Sequence, residues 1–150
     1  MTKENFMRLA LKEAKKAYKK GEVPVGCVIV YEDKIIARAH NLRELKQHVF
    51  THAEVLAIKK ANKKMNCWHL EGCQLYVTLE PCAMCAGAII QSRISEVYYG
   101  AADPKGGCCH SRINLLDMRF SNPEIYVEGN ILGDECLELL QSFFKEIRKK

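Results

Sequence analysis

Phe6, Leu9, Ala10, Ala14 and Ala17 recur three and four positions apart among lysines and stop at Gly21, which predicts an amphipathic helix over residues 3–20. The run "VPVGCVIVYEDKIIARAHN" then loses the helical period and reads as two β-rich stretches joined by a polar turn around residues 32–34, a hairpin. Thr51 opens a second helical pattern that ends by Asn66. "CQLYVTLEP" reads as a strand, "CAMCAGAIIQS" as a short helix and "EVYYG" as another strand. After the loop "AADPKGG" come a short helix around residues 111–117, a strand at 125–127 and a final helix over about 134–148. Late strands separated by helices predict an α/β architecture, with a central sheet covered by helices and an antiparallel element added by the early hairpin.

The 150 residues are 48% hydrophobic, enough to bury one sizeable core, and no linker, repeat or low-complexity tract divides them. A single domain over residues 1–150 is expected. No segment reaches the roughly 18 to 20 apolar residues of a membrane span, and the Lys-rich start lacks the apolar core of a secretory signal. A soluble cytoplasmic protein is therefore expected. In that setting the eight cysteines are thiols or metal ligands rather than a disulfide framework, with Cys27 and Cys136 expected in the core. The formal charge of +5 is concentrated in "KEAKKAYKK", "KKANKK" and "KEIRKK". Such runs are usually solvated helix faces, and only their convergence on one surface would favour a phosphate-bearing partner.

"THAEVLAIKKA" carries two overlapping patterns. Thr51 and Glu54 have capping-box spacing, which needs no function. His52 and Glu54 also form His-x-Glu, half of a zinc-hydrolysis signature, and "PCAMC" supplies the other half. Pro81 ends a strand, and Cys82 and Cys85 fall in the first turn of the next helix, where free N–H groups and the positive end of the dipole favour thiolate. With His52 they make three ligands and leave a fourth position open for water, as a catalytic zinc site requires. Zinc brings the pKa of that water to about 7, and Glu54 is the candidate proton shuttle for attack on an amino-bearing ring carbon. Residues two apart diverge by about 200° on a regular helix. His52 and Glu54 can therefore cooperate only if the chain leaves the helical path at its start, which a cap at Thr51 would allow. Three plainer alternatives stand beside this one: Glu54 as a pure cap, Cys82 and Cys85 as a redox dithiol, and a closed structural zinc site joining Cys108, Cys109 and His110 to Cys82 and Cys85. His40, His48, His69 and His110 are expected at the surface or in hydrogen bonds.

The pattern H-x-E…P-C-x-x-C marks the zinc nucleobase deaminases. Beyond it, "GEVPVGCVIV", "AHNLRE", "HAEVLAI", "LYVTLEPCAMCAGAIIQSRI", "YGAADPKGGC" and "DECLELLQSFFKEIRKK" resemble the bacterial tRNA-specific adenosine deaminases of the cytidine/deoxycytidylate deaminase superfamily. The resemblance implies a three-layer cytidine-deaminase-like fold, with a central five-stranded mixed sheet and helices on both faces. It implies a homodimer whose interface helps build the site, one Zn2+ per subunit and no organic cofactor. The implied substrate is a tRNA anticodon stem-loop, whose wobble adenosine becomes inosine. Position by position, His52, Cys82 and Cys85 match zinc ligands, Glu54 the proton shuttle, and Asn41 a residue that hydrogen-bonds the flipped base. Asp103 and Lys105 match a loop bordering the anticodon, and Phe143, Phe144, Lys145 and Arg148 lie in the helix that supports RNA binding. Two places depart from the family pattern: His48, Val49, Phe50 and Thr51 before the His-x-Glu, and His110 where a small residue is usual. The rivals are a free guanine or cytosine deaminase and a non-catalytic zinc-stabilised RNA-binding module.

Overall fold

The computed structural model describes residues 1–117 and 124–149. Helix α1 covers Lys3–Lys19, with the Thr2 hydroxyl accepting from the Asn5 N–H at its start. Strands β1, Gly26–Tyr31, and β2, Lys34–His40, form the expected hairpin. Glu32 and Asp33 both take positive φ, 49° and 63°, as a two-residue hairpin turn demands. Then come α2 (Arg43–Lys46), a 3-10 turn at Val49–Thr51, α3 (Ala53–Met65), β3 (Cys73–Leu79), α4 (Ala83–Ser92) and β4 (Glu96–Ala101). A 3-10 turn at Leu115–Asp117, β5 (Tyr126–Glu128) and α5 (Gly133–Arg148) complete the chain.

The five strands make one mixed sheet in the order β2-β1-β3-β4-β5. The β1 strand is antiparallel to β2 and β3, whereas β3, β4 and β5 are parallel. Two apolar layers cover it. On one side Ala53, Ala57 and Ala61 of α3 and Ala86 and Ile89 of α4 pack on Cys27, Ile29, Leu75, Val77 and Val97. On the other, Phe6, Met7, Ala10 and Leu11 of α1 and Cys136 and Leu140 of α5 pack on Val28, Val30, Tyr76 and Tyr98. Strands buried on both faces read as near-continuous apolar runs, which is the pattern of "GCVIV" and "LYVTL". Cys27 and Cys136 are core residues, as expected.

Three local features differ from the sequence expectation. Helix α3 starts at Ala53, not at Thr51. The α2 turn was not expected, because four residues carry no period; the buried Glu22 carboxylate holds it by accepting the N–H groups of Glu44 and Leu45 at 3.0 and 2.7 Å. The helix expected at 111–117 is reduced to the 3-10 turn at Leu115–Asp117.

The close seating of α1 on β1 depends on Gly26. A Cβ there would lie 2.0 Å from the Ala10 carbonyl oxygen and 2.4 Å from the Ala14 nitrogen, both backbone atoms that cannot swing aside. Gly26→Ala is therefore expected to destabilise the fold by about 3 kcal/mol or more, read as a lower Tm in thermal unfolding. An unchanged Tm would mean α1 is free to move off the sheet.

Candidate metal and nucleobase site

The site grows from the carboxyl ends of β3 and β4. Leu79 pairs with Ala101, and the Glu80 N–H donates to the Ala101 carbonyl at 2.9 Å. The two chain exits, Glu80-Pro81-Cys82 and Ala102-Asp103, are thereby held side by side. Cys82 occupies the N-cap of α4 with extended backbone, φ −78° and ψ 177°. His52 occupies the N-cap of α3 in the same way, at φ −63° and ψ 149°. Both residues precede the helical path, so their side chains turn toward each other, and both helices direct the positive end of their dipole at the site.

His52 Nδ1 lies 3.7 Å from Cys82 Sγ and 3.5 Å from Cys85 Sγ. Sulfur and nitrogen ligands at about 2.3 and 2.0 Å from a tetrahedral ion stand roughly 3.6 Å apart, so this triangle fits zinc without rearrangement. Among the described residues these three form the group able to hold a metal ion. The Cys85 thiol donates to Cys82, which, with His52 beside it, lowers the Cys82 thiol to about 4 against the cost of burial. As the donor of that pair, Cys85 is raised. The Cys82 partner likewise raises His52.

Glu54 is buried beside the triangle, and burial lifts its carboxyl to about 7. A carboxyl poised there both takes and gives a proton near neutral pH. The expected capping box is not formed. The Thr51 hydroxyl donates back to the His48 carbonyl at 2.8 Å, and the cap position belongs to His52. The geometry anticipated from a cap at Thr51 is reached one residue later, with His52 outside the helix and Glu54 inside its first turn.

A cavity of about 140 Å³ opens over these groups, walled by Val23, Val25 and Leu79 and reached by Asn41, Arg43 and Asp103. Asn41 is buried and fixed: its Nδ2 donates to the Val23 carbonyl at 3.4 Å and its Oδ1 accepts the Arg43 N–H at 3.2 Å. One N–H and one lone pair remain for a ligand. Arg43 and Glu80 also line the cavity and were not among the residues expected there. Arg43 had a signal in its place two residues after Asn41, just past the hairpin; Glu80 had none, because a Glu before Pro looks like a strand end.

Glu80, 2% exposed, accepts the N–H groups of Asp103, Cys109, His110 and Ser111 at 2.8 to 3.0 Å and the Ser111 hydroxyl. Burial opposes its charge, but these donors prevail and hold the carboxyl at about 2.

Other expected residues lie apart from the cavity. Lys105 is exposed on the loop, its N–H bonded to Asp103 Oδ1 at 3.1 Å. Phe143 is corrected from an RNA contact to a packing residue: it is 4% exposed and meets Tyr18 edge to face at 5.5 Å. Helical spacing with Leu140 turns it inward, while Phe144 next to it is 43% exposed. Lys145 and Arg148 are exposed on the same helix. Tyr18 also donates to Glu146 at 2.5 Å, so the lysine-rich ends of α1 and α5 converge, whereas "KKANKK" lies on the opposite side of the sheet. The closed site with Cys108, Cys109 and His110 is not formed. Cys108 Sγ faces the Gly106 carbonyl, and His110 Nδ1 is bonded to the Tyr99 hydroxyl at 2.6 Å.

The model of the MafB19-like deaminase family matches residues 1–148. The tRNA-specific adenosine deaminases of Bacillus subtilis (strain 168) and Aquifex aeolicus (strain VF5) are 53% and 49% identical to this chain. The matches cover 98% and 99% of it and 91% and 97% of those proteins. This chain belongs to the tRNA-specific adenosine deaminase family. A solved structure from a study of A-to-I editing by tRNA:A34 deaminases at the wobble position superposes with a TM-score of 0.86 at 40% identity, over 90% of this chain and 98% of that one. A guanine deaminase from Nitrosomonas europaea shares the fold, with a TM-score of 0.82 at 22% identity over 95% and 84% of the two chains.

For this family member, the Glu80 hydrogen bonds carry a pH signature. Folding lowers its pKa from 4.5 to about 2, so its contribution is complete above about pH 4.5 and is lost as pH falls toward 2. Glu80→Gln is expected to cost on the order of 3 kcal/mol at neutral pH, with the unfolding free energies of variant and wild type converging in acid. A gap independent of pH would show that the carboxylate charge adds nothing.

Proposed function

We propose that this chain is a single-domain zinc hydrolase that converts adenosine to inosine at the wobble position of a tRNA anticodon, releasing ammonia. The observation that carries the proposal is the His52, Cys82 and Cys85 triangle at tetrahedral ligand spacing with the buried Glu54 carboxyl beside it. Family membership supports the substrate, since close relatives are named for adenosine in tRNA.

Those three side chains would hold zinc, since two thiolates with an imidazole suit that ion, and the ion would supply the Lewis acidity that lets a water attack near neutral pH. Glu54 takes one proton from the attacking water and delivers it to the ring nitrogen next to the amino-bearing carbon; it then takes the second proton, from the hydroxyl added to that carbon, and passes it to the amino group, which leaves as ammonia while the carbonyl forms. Its buried position and pKa of about 7 suit both relays. Asn41 offers its remaining N–H and lone pair to the edge of the base. Val23, Val25 and Leu79 grip the ring faces and exclude water. A base reaches this cavity only after leaving its stack, which an anticodon loop permits at low cost. Asp103 borders the cavity, and the exposed Lys105, Phe144, Lys145 and Arg148 would meet phosphates and bases outside it.

A second copy of the chain completes the working unit in this proposal. Leu45, Val49 and Phe50, 63%, 56% and 62% exposed, form an apolar rim in the segment between Arg43 and His52, and covering them supports a homodimer. No helix among the described residues is long and apolar enough to cross a membrane, which agrees with action on tRNA in the cytoplasm.

Inosine formation in an anticodon stem-loop, run beside free adenosine, cytosine and guanine, tests the substrate. Product in the stem-loop alone is expected, and turnover of a free base without RNA would replace the substrate with a nucleobase. Glu54→Gln is expected to keep its zinc and lower kcat by about 10²- to 10⁴-fold. A normal rate would remove Glu54 from the mechanism. Metal analysis should find one zinc per chain, lost with activity in Cys85→Ala; full zinc in that variant would refute the ligand set.

A further inference from the structure

We propose that Glu80 is a positioning residue for substrate, which fixes the Asp103–Ser111 loop against the cavity and so sets where Asp103 stands relative to the metal ligands. This inference rests on the function proposed above. Glu80 lies two positions before Cys82, on the strand end that carries the metal-ligand turn, and it forms part of the cavity wall. Its two oxygens hold both ends of the loop. Oε1 accepts the Asp103 N–H at 3.0 Å and the Ser111 hydroxyl; Oε2 accepts the N–H groups of Cys109, His110 and Ser111 at 3.0, 2.8 and 2.9 Å.

A carboxylate offers about four lone-pair sites, so five donors saturate it. Its bonds to the loop are charge-assisted and out of water, where such bonds are short and directional. The middle of the loop is built around the same group. A Cβ on Gly107 would lie 2.4 Å from Glu80 Cδ and Oε1 and 2.6 Å from Oε2, so only glycine lets the chain pass. The Gly107 N–H bonds the Asp103 carbonyl at 2.9 Å, and the Cys108 N–H bonds the Pro81 carbonyl at 2.8 Å, tying the loop to the residue beside Cys82. Within the loop, Asp103 Oδ1 accepts from Lys105 and Gly106 at 3.1 and 3.3 Å. The substrate-facing corner is therefore rigid in itself and referenced through Glu80 to the metal-ligand turn. A Gln at this position would turn an NH₂ group toward N–H donors, and loss of the Ser111 hydroxyl would remove one donor and leave the charge in place.

The test uses zinc-loaded full-length wild type, Glu80→Gln and Ser111→Ala, with zinc content, kcat and KM measured on the anticodon stem-loop. Zinc content should stay at the wild-type level. KM should rise by about tenfold or more in Glu80→Gln and about threefold in Ser111→Ala, with kcat falling less than KM rises. Amide exchange at residues 103 and 109–111 should quicken in both variants. Unchanged KM in a folded, zinc-loaded variant would overturn the proposal. So would activity lost in proportion to zinc, since Glu80 would then only support Cys82. If Glu80→Gln does not fold, the Ser111→Ala values decide. Should wild type act on a free base instead of the stem-loop, the proposed function fails by itself, and the same KM and kcat comparison on that base decides the role of Glu80.

Discussion

Leu79 and Ala101 pair at the carboxyl ends of two parallel strands, and the parts of the site are placed relative to that pair. Parallel pairing forces both chains to leave the sheet in the same direction, one into the Cys82 turn of α4 and the other into the Asp103 loop. The Glu80 N–H bond to Ala101 extends the ladder one residue further and aims its carboxylate under the loop. His52 arrives from α3, on the same side of the sheet as α4, because the small residues Ala53, Ala57 and Ala61 let that helix sit close to β1 and β2. Crevices outside the carboxyl ends of strands are the usual ligand sites of α/β sheets, since backbone and helix N-termini converge there.

Glu54 and Glu80 are buried carboxyls in one small region, with opposite properties. Glu54 is taken out of water without donors enough to hold its charge and rises to about 7. Glu80 is also taken out of water, but four backbone N–H groups and a hydroxyl favour its ionised form and hold it at about 2. The first can move protons, and the second stays charged and organises backbone. The same side chain is thus left titratable near neutral pH or held ionised according to the number of donors aimed at it.

The two cap positions show a related economy. A helix N-cap residue has extended backbone and lies outside the helical path, so its side chain is free to point away from the helix axis. His52 and Cys82 both stand at such positions, and the groups that follow them in the first turn, Glu54 and Cys85, are directed into the same space. The spacings His-x-Glu and Cys-x-x-Cys are those of a cap and the first turn of its own helix. Two helix starts facing each other bring three side chains able to hold a metal ion together and place a carboxyl beside them.

The sequence by itself determined most of the element order, the mixed sheet and the cluster of His52, Cys82 and Cys85 with Glu54 beside it. Each of these is written in short-range spacing: the period of apolar positions, the alternation and length of strands, and residues two or three apart at helix starts. Phe143 and Phe144 are adjacent aromatics that a core face and an RNA face would use alike; packing against Tyr18 turned one inward and left the other half exposed. Thr51 had the spacing of a cap, yet the Thr51 hydroxyl bonds back to His48, because His52 had to be the residue outside the helix. The roles of Glu22 and Glu80 were decided only by the tertiary structure. Their backbone partners lie 22 to 31 residues away, on N–H groups that every residue type except proline carries, so no side-chain pattern in the chain could announce them.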